Sequence, residues 1–537
     1  MRKFSSYGPV DKDLHYYVPR QALVDFALHQ LRGESPEEGG HYITVWAPRQ
    51  RGKTWVMREV LWTLQKDARF DVLKLNLEHL KMVDDVDIVI NDIAKRIIES
   101  LELNLAPVEH LNQFYDVFRH GVLKRPLVLI MDEFDALNQQ AISGIASVFR
   151  NIYIQRQDQA DRPTEQRDYL LHGVALIGVR SVLGIENQRG SPFNVQRSLH
   201  IPNLTYDEVN EMYQWYIRES GQVVEQDVID RVFYETQGQP GLVSWFGELL
   251  TETYNETPDQ PITMKQFNRV YNLALNALPN NNILNIISKA KQEPYKDVVL
   301  QLFQTGEEME FRYDEPHLNF LYMNGVIDWE EAADNHHLVA KFPCPFVQKR
   351  LFNYFAYDLF RETGKLYKPF EDLSEVISES FLNVKNLLRR YEAYFHQHRD
   401  QFLADVPRRQ IDGRPYEAIY HFNLFRYLYT FLSPWHSQVI PEFPTGNGKI
   451  DLIIRHGGQL YGIEVKSFSS PPAYREALKQ AARYGKQLGL GEITLAVFVE
   501  AIDEANRAKY EITYHDDETG VDVVPVFIET GGRLDNA

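Results

Sequence analysis

Short apolar runs alternate with amphipathic helical patterns through the first part of this 537-residue chain. The runs are rich in β-branched residues and extend over Tyr42 to Trp46, Val72 to Leu77, Leu127 to Met131 and Val174 to Val179. Alternation of this kind predicts a parallel sheet with helices on both faces. We therefore expect an α/β core over residues 1–205.

The pattern becomes purely helical after this core. Residues 206–277 are interrupted only by the turn Gln237–Gly241, which predicts a helical lid subdomain. Three helix-like stretches and two short strands follow over residues 278–350 and indicate a winged-helix-like domain. Such domains either bind DNA or serve only as packing elements, and this stretch is not notably basic. Residues 351–380 are aromatic-rich and then helical, so we expect a packed helical connector.

The remaining residues, 381–537, predict a further α/β domain. Its centre is a hairpin in which Lys449–Ile454 and Tyr461–Lys466 flank a Gly-Gly turn. Helical patterns precede this hairpin over Glu417–Phe431 and follow it over Pro472–Leu488. The whole chain is therefore predicted to be a multidomain α/β protein, in agreement with a length that suggests three or four domains.

Composition narrows the class of protein. Apolar residues make up 44% and charged residues 25% of the chain, as in globular proteins of aqueous compartments. No apolar run approaches the roughly 20 residues that span a bilayer, and the first residues lack the apolar core of a secretory signal, so we expect a cytoplasmic protein without a membrane partner. The single cysteine, Cys344, excludes an internal disulfide and is predicted to be a buried apolar residue.

The net charge of −18 limits contact with nucleic acid to local basic clusters, because an acidic protein repels phosphate. Three clusters qualify: Arg389 with Arg390, Arg408 with Arg409, and the helix face with Lys479, Arg483 and Lys486. Such clusters are more often merely solvated surfaces.

The segment Ala47–Thr54 directly follows the first apolar run and opens a helix, as a phosphate-binding loop does. Backbone amides around Arg51 and Gly52 would surround the phosphates, Lys53 would reach the β- and γ-oxygens, and the Thr54 hydroxyl would hold Mg²⁺. Ala47 replaces the glycine that usually begins this pattern. The motif predicts ATP as ligand.

The run Leu127–Met131 ends in two acids, Asp132 and Glu133. Asp132 is predicted to bind Mg²⁺ and Glu133 to activate the attacking water. Arg180 ends the next strand, where it either senses the γ-phosphate or forms a structural salt bridge. Arg189 and Arg197 are alternative fingers toward a neighbouring subunit, which would make the chain a homo-oligomer through its ATPase domain.

These motifs, with Ser191–Asn194 and the turn Gln237–Gly241, resemble the AAA-like ATPases of bacteria and archaea related to the STAND class. The resemblance extends over residues 15–350. It implies that Pro240, in the Gly-x-Pro turn of the lid, approaches the nucleotide. Several prokaryotic members carry a C-terminal nuclease domain, and fusions of this sort suggest defence against phage or mobile DNA.

The hairpin of the last domain carries Asp451 near the start of one strand and Glu464-Val465-Lys466 in the other. One tight hairpin brings the three charged side chains together, and alternation puts Glu464 and Lys466 on one face. This is the arrangement that metal-dependent phosphodiester cleavage needs. The alternative is an exposed hairpin with ordinary charges, whose turn residue His456 is expected to face solvent.

The C-terminal third resembles the PD-(D/E)XK nuclease superfamily, in its RecB-type branch. The resemblance implies a restriction-endonuclease-like α/β/α domain in which Asp451, Glu464 and the carbonyl of Val465 bind Mg²⁺ or Mn²⁺, while Lys466 positions the attacking water. Glu417 would complete the metal site, and Gln480 with Tyr484 matches the Gln-x-x-x-Tyr signature beside the substrate. Ile450 stands where the family usually has proline.

Two functions are compatible with these motifs. The first is an ATP-dependent or ATP-regulated nuclease that hydrolyses nucleic acid, DNA rather than RNA. The second is a STAND-like sensor or scaffold, in which nucleotide controls oligomerisation and the nuclease fold grips nucleic acid or a partner without cleaving it.

Overall fold

The structure is a computed structural model that describes residues 1–6, 8, 11–33, 39–163, 166–178, 197–303, 308–332, 336–368, 370–410, 412–442 and 451–531, apart from the side chain of Asp451. The chain forms two compact units, Met1–Asn272 and Leu273–Ala537.

The first unit contains one sheet and the helices around it. Its strands are β1 (Tyr42–Trp46), β2 (Asp71–Asn76), β3 (Leu127–Asp132), β4 (Leu171–Gly178) and β5 (Arg197–His200). Its helices are α1 (Gln21–Arg32), α2 (Lys53–Gln65), α3 (Val86–Ser100), α4 (Gln139–Asp158), α5 (Tyr206–Ser220), α6 (Gln226–Thr236), α7 (Pro240–Glu248) and α8 (Met264–Asn276), of which α8 crosses the boundary between the units.

The sheet of the first unit has the strand order β2-β3-β4-β1-β5, and every neighbouring pair is parallel. Both faces are buried, because Leu129 and Met131 of β3 join one apolar cluster with α3 and α4, whereas Val128 and Ile130 join another with α1 and α2. The predicted parallel α/β fold of this region is confirmed. Since parallel strands all point the same way, the carboxyl ends of β1, β3 and β4 lie at one edge of the sheet.

A buried polar cluster fixes the start of β4 to α1. The Arg156 guanidinium of α4 donates to the carbonyl oxygens of Leu171 and His172, the latter at 2.7 Å. The His172 ring contacts Phe70, and its Nε2 lies 3.0 Å from the carbonyl oxygen of Arg32. Burial, assisted by the nearby Arg156, lowers the pKa of His172 to about 3. The ring is therefore neutral and donates from Nε2.

The second unit contains helices, a short ribbon and a second sheet. Its helices are α9 (Asn281–Ala290), α10 (Tyr295–Leu302), α11 (Pro316–Met323), α12 (Pro345–Leu359), α13 (Val384–Phe402), α14 (Glu417–Leu432), α15 (Pro471–Gln487) and α16 (Glu504–Tyr510). Its strands are β6 (Asp328–Glu331), β7 (Leu338–Lys341), β8 (Gln438–Glu442), β9 (Asp451–His456), β10 (Gln459–Ser467), β11 (Glu492–Val499), β12 (Tyr514–Asp516) and β13 (Val521–Glu529).

Helices α9, α10 and α11 precede the antiparallel ribbon of β6 and β7, in the order predicted for the winged-helix-like region. The aromatic ring of Phe303 contacts those of Phe342, Phe352 and Phe422, so this region packs on α14. The segment predicted as a helical connector, 351–380, is helical only to Leu359. Cys344 is buried, as predicted.

The second sheet is mixed, with the order β12-β13-β11-β10-β9-β8. Strands β8, β9 and β10 form an antiparallel meander, whereas β10, β11 and β13 are parallel to one another. Helix α15 provides the crossover from β10 to β11 and packs on the face that carries Leu495, Val497 and Phe527. A separate mixed-sheet domain, as predicted for the C-terminal region, is confirmed.

A search of the described residues finds no helix with the length and apolar character needed to cross a membrane.

We expect β4 to become less stable as the pH falls below 6.5, because of His172. Its pKa in the folded protein, about 3, lies below the ordinary value of 6.5, so the unfolded chain takes up a proton as the pH falls below 6.5 while the folded chain does not. The opening free energy of β4 should drop by at most about 1.4 kcal/mol per pH unit in this range. Hydrogen exchange of β4 amides between pH 7 and 5, corrected for intrinsic rates, measures this drop, and His172→Gln should flatten it.

The matched control is His29→Gln, because His29 lies exposed on α1. Identical pH profiles for His172→Gln and the native chain would show that His172 does not titrate as described.

Candidate functional site

The segment Ala47–Thr54 forms the turn between β1 and α2. Gly52 has a φ of 90°, in the left-handed region that glycine adopts without strain, and Gln50 also lies there with a φ of 57°. Helix α2 begins at Lys53, so Thr54 lies exposed in its first turn. Amides of this turn and the positive end of α2 are the groups that bind phosphate in a P-loop.

The Lys53 side chain is only 9% exposed and lies inside the loop. Its Nζ donates to the carbonyl oxygens of Ala47 at 2.7 Å and Pro48 at 3.1 Å. Burial lowers the pKa of Lys53 to about 8, although the nearby acids Asp135, Glu133 and Asp132 oppose this shift. Carbonyl oxygens thus satisfy an ammonium group that phosphate oxygens would bind in the nucleotide complex.

Asp132 ends β3 and is 2% exposed. A residue that the sequence analysis missed, Lys74 of β2, pairs with it, with Nζ 2.7 Å from Oδ2. In the strand register Asn76 is opposite Asp132 and Lys74 is opposite Ile130, so only the sheet pairing brings this lysine to the acid. The pair compensates a carboxylate that would otherwise be buried alone.

Glu133 follows β3 in a left-handed conformation with a φ of 56°. Burial raises its pKa, the like charges of Asp135 and Asp132 add to this, and Lys53 opposes it. Asp135 lies at the end of β4, because a Cβ atom added to Gly178 would stand 2.7 Å from its Oδ1. Asp132, Glu133, Asp135 and Lys53 therefore lie together at the edge where β1, β3 and β4 end, with Lys74 paired to Asp132.

The turn Gln237–Gly241 contacts the phosphate-binding loop directly. The amide of Gly241 donates to the carbonyl oxygen of Gln50 at 3.2 Å, and Nε2 of Gln239 donates to the carbonyl oxygen of Arg49 at 3.4 Å. Pro240 is the first residue of α7, where its missing N–H costs nothing. The structure thus places Pro240 beside the loop.

The residues before α1 join the lid helices, α5 to α7, to the P-loop helix α2. Glu219 of α5 accepts from Nη1 of Arg2 at 3.0 Å and from the Tyr16 hydroxyl at 3.2 Å. The next residue, Tyr17, donates to Oε1 of Glu59 in α2 at 3.1 Å. The segment before α1 is therefore bonded both to α5 and to α2, the helix that follows the phosphate-binding loop.

The structure describes only some of the arginines that were predicted to sense the γ-phosphate or to reach a neighbouring subunit. Arg180, Arg189 and Ser191–Asn194 lie outside the described residues. Arg197 is exposed at the start of β5. Arg51 is 5% exposed within the P-loop.

In the second unit, strand register gathers the predicted nuclease residues. Asp451 is opposite Glu464 across β9 and β10, and it is also opposite Glu442 across β8 and β9. Glu464 is 1% exposed and Lys466 is 9% exposed. The Nζ of Lys466 lies 3.2 Å from Oε1 of Glu464, and Val465 between them is buried on the other face.

Glu417 is the first residue of α14. One turn later, Nε2 of the fully buried His421 lies 3.5 Å from Oε1 of Glu417. Burial lowers the pKa of His421 to about 4, with Glu417 opposing the shift and Lys466 reinforcing it. Glu417 and Ser467 line the same cavity, so the start of α14 and the end of β10 lie close together.

Glu442 is a carboxylate that the sequence analysis missed. Its Oε2 lies 2.9 Å from Nζ of Lys349, a lysine of α12 whose side chain is fully buried. The ion pair joins α12 to the end of β8. No local pattern marks either residue, since the partners are far apart in the chain.

The Gln-x-x-x-Tyr pair lies on α15. Tyr484 is buried in the apolar cluster between α15 and the sheet, whereas Gln480 is half-buried one turn earlier. Leu495, which is opposite Glu464 in the strand register, belongs to the same cluster as Tyr484. Glu464 and α15 therefore lie on one face of the sheet.

The prediction that His456 faces solvent is wrong. The residue is 3% exposed, its Nδ1 lies 2.8 Å from the Ser437 hydroxyl, and its Nε2 lies 2.6 Å from the carbonyl oxygen of Ser378. A connection before α13 covers the hairpin turn, which a local pattern does not predict.

In two of the three basic clusters, arginines form ion pairs with glutamates. Arg389 pairs with Glu392 and Glu511, and Arg390 pairs with Glu371 at 2.8 Å. On α15, Arg483 is exposed and pairs with Glu476 at 2.7 Å. The third cluster, Arg408 with Arg409, lines a cavity.

This cavity of about 950 Å³ lies between α13, residues 408–410 and 412–415, and the ends of β10 and β11. Glu417 of α14 and Ser467 of β10 line it, and Arg399, Arg408 and Arg414 contribute cationic groups. It is a concave space large enough for a ligand.

The donor chemistry of both sites suits Mg²⁺, since carboxylate, hydroxyl and carbonyl oxygens are its ordinary ligands. Among the described side chains, no three His, Cys, Asp or Glu residues are close enough together to hold an ion. The backbone of Asp451 lies opposite that of Glu464 in the strand register.

Comparison with known proteins agrees with the first site. A family model described as an AAA-like domain matches residues 5–260, and no curated protein matches the chain. With the P-loop and the parallel sheet, this match identifies the N-terminal region as an AAA-like P-loop ATPase domain.

Among solved structures, the chain is similar to a Walker-type ATPase of Pyrococcus abyssi, with 13% identity, a TM-score of 0.41, and coverage of 65% of this chain and 98% of that one. It is also similar to the ORC1 protein of Aeropyrum pernix in complex with DNA, with 15% identity, a TM-score of 0.33, and coverage of 63% and 93%. A third is the RuvB Holliday junction branch migration motor of Thermotoga maritima, with 13% identity, a TM-score of 0.32, and coverage of 62% and 94%.

Lys53→Ala should weaken binding of Mg-ATP roughly ten- to hundredfold, because charged hydrogen bonds to phosphate contribute about 1.5–3 kcal/mol. Isothermal titration calorimetry measures the affinity. The control is Lys66→Ala, which removes an exposed lysine at the other end of α2. Equal affinities for Lys53→Ala and the native chain would remove Lys53 from the nucleotide site.

Glu442→Gln should destabilise the second unit by about 3 kcal/mol, because it removes the carboxylate that pairs with the buried Lys349 ammonium at 2.9 Å. The double variant Lys349→Met with Glu442→Gln should recover most of this loss. Hydrogen exchange of β8 and β9 amides measures both changes.

A surface pair provides the comparison: Glu330 and Lys341 lie 2.7 Å apart and are partly exposed, so Glu330→Gln should cost less than about 1 kcal/mol. If Glu442→Gln costs no more than Glu330→Gln, the buried pair does not stabilise the end of β8.

Proposed function

We propose that this chain is an ATP-regulated, metal-dependent nuclease in which the AAA-like domain controls a C-terminal nuclease domain acting on DNA. The proposal keeps the division into an ATPase core (1–205), a helical lid (206–277), a winged-helix-like domain (278–350), a connector (351–380) and a nuclease domain (381–537). The observation that carries it is the strand register that sets Asp451 opposite Glu464, with Lys466 paired to that glutamate at 3.2 Å.

The surroundings of these residues support the proposal. A mixed sheet flanked by α14 and α15 is what the PD-(D/E)XK resemblance implies, and the acid-bearing end of α14 lies near the end of β10. An exposed hairpin with ordinary charges would leave Glu464 and Lys466 in water, yet both are at least nine-tenths buried. Burying charged groups is costly, so their retention favours a chemical role.

In the ATPase domain, amides around Arg51 and Gly52 bind the phosphates and Lys53 neutralises their charge. Thr54 and Asp132 would hold Mg²⁺, and Lys74 orients Asp132 through their ion pair. Glu133 accepts the proton of the attacking water, a role that its raised pKa favours. Pro240 lies beside the loop, and through it the position of the lid depends on which nucleotide is bound.

In the nuclease domain, Asp451, Glu464 and the Val465 carbonyl would hold the metal ion, with Glu417 completing the site. Lys466 orients the attacking water and stabilises the negative charge that develops on the phosphate. Gln480 and Tyr484 contact the substrate from α15. At either site, bound Mg²⁺ supplies Lewis-acid polarisation of a phosphoryl oxygen.

A role in prokaryotic defence against phage or mobile DNA belongs to the same proposal, by analogy with ATPase-nuclease fusions. The STAND-like sensor or scaffold remains the competing function and is separated from the nuclease by one experiment.

Glu464→Gln and Lys466→Met should each lower Mg²⁺-dependent DNA cleavage at least a hundredfold, because each removes a group needed for metal binding or charge stabilisation. ATP affinity should stay unchanged. Plasmid and single-stranded DNA are incubated with Mg²⁺ or Mn²⁺, with and without ATP, and products are resolved on gels.

Glu492→Gln serves as the control, since Glu492 is exposed at the start of β11. Cleavage by both site variants at the native rate would refute the nuclease assignment. DNA binding without cleavage by the native chain under all conditions would favour the scaffold.

A further inference from the structure

We propose that the cavity beside Glu417 binds a single nucleic-acid strand, with arginines on its phosphates and aromatic rings on its bases. This inference rests on the proposed nuclease function and specifies its substrate as unpaired rather than duplex nucleic acid. It also gives a function to the Arg408-Arg409 pair.

Arg408 provides the best-defined cation of the cavity. Its Nη1 donates to the carbonyl oxygen of Gly413 at 3.1 Å, and its Nη2 donates to that of Leu403 at 2.8 Å. An isolated bridge between Arg408 and Pro415 closes the turn. Carbonyl oxygens hold the guanidinium without neutralising it, so an exposed positive charge is fixed at the rim.

The remaining arginines surround the same space. Arg399 belongs to α13, and its Nε donates a hydrogen bond to the carbonyl oxygen of Thr530 at 2.8 Å. Arg414 pairs with Glu500 at 2.6 Å, but both side chains are 54% exposed, and such a surface pair is weak enough for a phosphate to displace the carboxylate. Arg409 pairs with Asp412 at 2.6 Å and supports the turn.

Acidic residues are also present, since Asp400, Glu417 and Glu500 line the cavity. The rim therefore carries a few arginines that hydrogen bonds and ion pairs hold in place, and it is not a broadly basic surface. In a chain with a net charge of −18, a local group of arginines of this kind can attract phosphate.

Aromatic side chains form the inner wall. Tyr420 of α14 and Phe468, just after β10, are half-buried and line the cavity. The Tyr420 ring stacks on Phe498 with centroids 5.8 Å apart, which fixes its orientation. Bases stack on rings of this kind with little regard to sequence.

The size of the cavity suits a single strand of nucleic acid. A volume of about 950 Å³ lies at the upper end of the roughly 300–1,000 Å³ typical of small-ligand pockets, so a few nucleotides fit and a double helix does not. Glu417 lines the cavity, so a strand bound there contacts one of the residues proposed for the metal site.

Binding is measured by fluorescence anisotropy with the full chain in EDTA, using a labelled single-stranded DNA of roughly 12 nucleotides and a duplex of the same sequence. Arg408→Gln and Arg414→Gln should each weaken single-strand binding about fivefold. The slope of log affinity against log salt should fall by about 0.7 for each lost phosphate contact. Tyr420→Leu should weaken binding without changing this slope.

The control is Arg475→Gln, because Arg475 is exposed on α15 and also bonds a carbonyl oxygen, that of Pro471. Its affinity and slope should equal those of the native chain. Native affinity and slope in both rim variants, or equal affinity for duplex and single strand, would overturn the cavity assignment.

Cleavage separates this inference from the function on which it rests. If the native chain cuts DNA in a Glu464-dependent way while the rim variants bind and cut normally, the cavity assignment fails and the nuclease stands. If the rim variants lose binding but the native chain cuts nothing, the cavity assignment stands and the nuclease fails.

Discussion

Both candidate sites depend on the register of hydrogen-bonded strands, because residues far apart in the chain meet only where neighbouring strands place them side by side. In the first unit, the parallel order β2-β3-β4-β1-β5 brings the ends of β1, β3 and β4 to one edge. In the second, antiparallel pairing sets Glu442, Asp451 and Glu464 opposite one another. A slip of one residue in the second sheet would turn Glu442 or Glu464 to the opposite face.

Buried charges at both sites are compensated by residues from other elements. Asp132 is paired with Lys74 of the adjacent strand, Glu464 with Lys466, and Glu442 with Lys349 of α12. Because an isolated buried charge is strongly destabilising, each pair ties the integrity of a site to packing around it. Lys53 differs from these residues, because its ammonium group donates to carbonyl oxygens of its own loop.

The elements that sequence reasoning predicted well are those with a strong local pattern. The buried runs that form β1 to β4, the helix beginning at Glu417 and the hairpin of β9 and β10 agree closely with the structure. Strand β5 has the sequence RSLH and β8 the sequence QVIPE, and neither contains the continuous apolar run that marks β1 to β4. The motifs that mark Gly52, Lys53, Asp132 and the Glu464-Val465-Lys466 triplet are likewise local, which is why a single sequence shows them.

The sequence by itself determined the strands and helices that have a strong local pattern, where the phosphate-binding loop lies, and which charged residues are candidates for chemistry. Tertiary structure alone decided their partners: Lys74 for Asp132, Lys349 for Glu442, the burial of His456, and the joining of Arg399, Arg408 and Arg414 around one cavity. Periodicity and motifs record short-range preferences of the backbone, whereas these partnerships arise from sheet register and helix packing between distant segments, which no local pattern encodes.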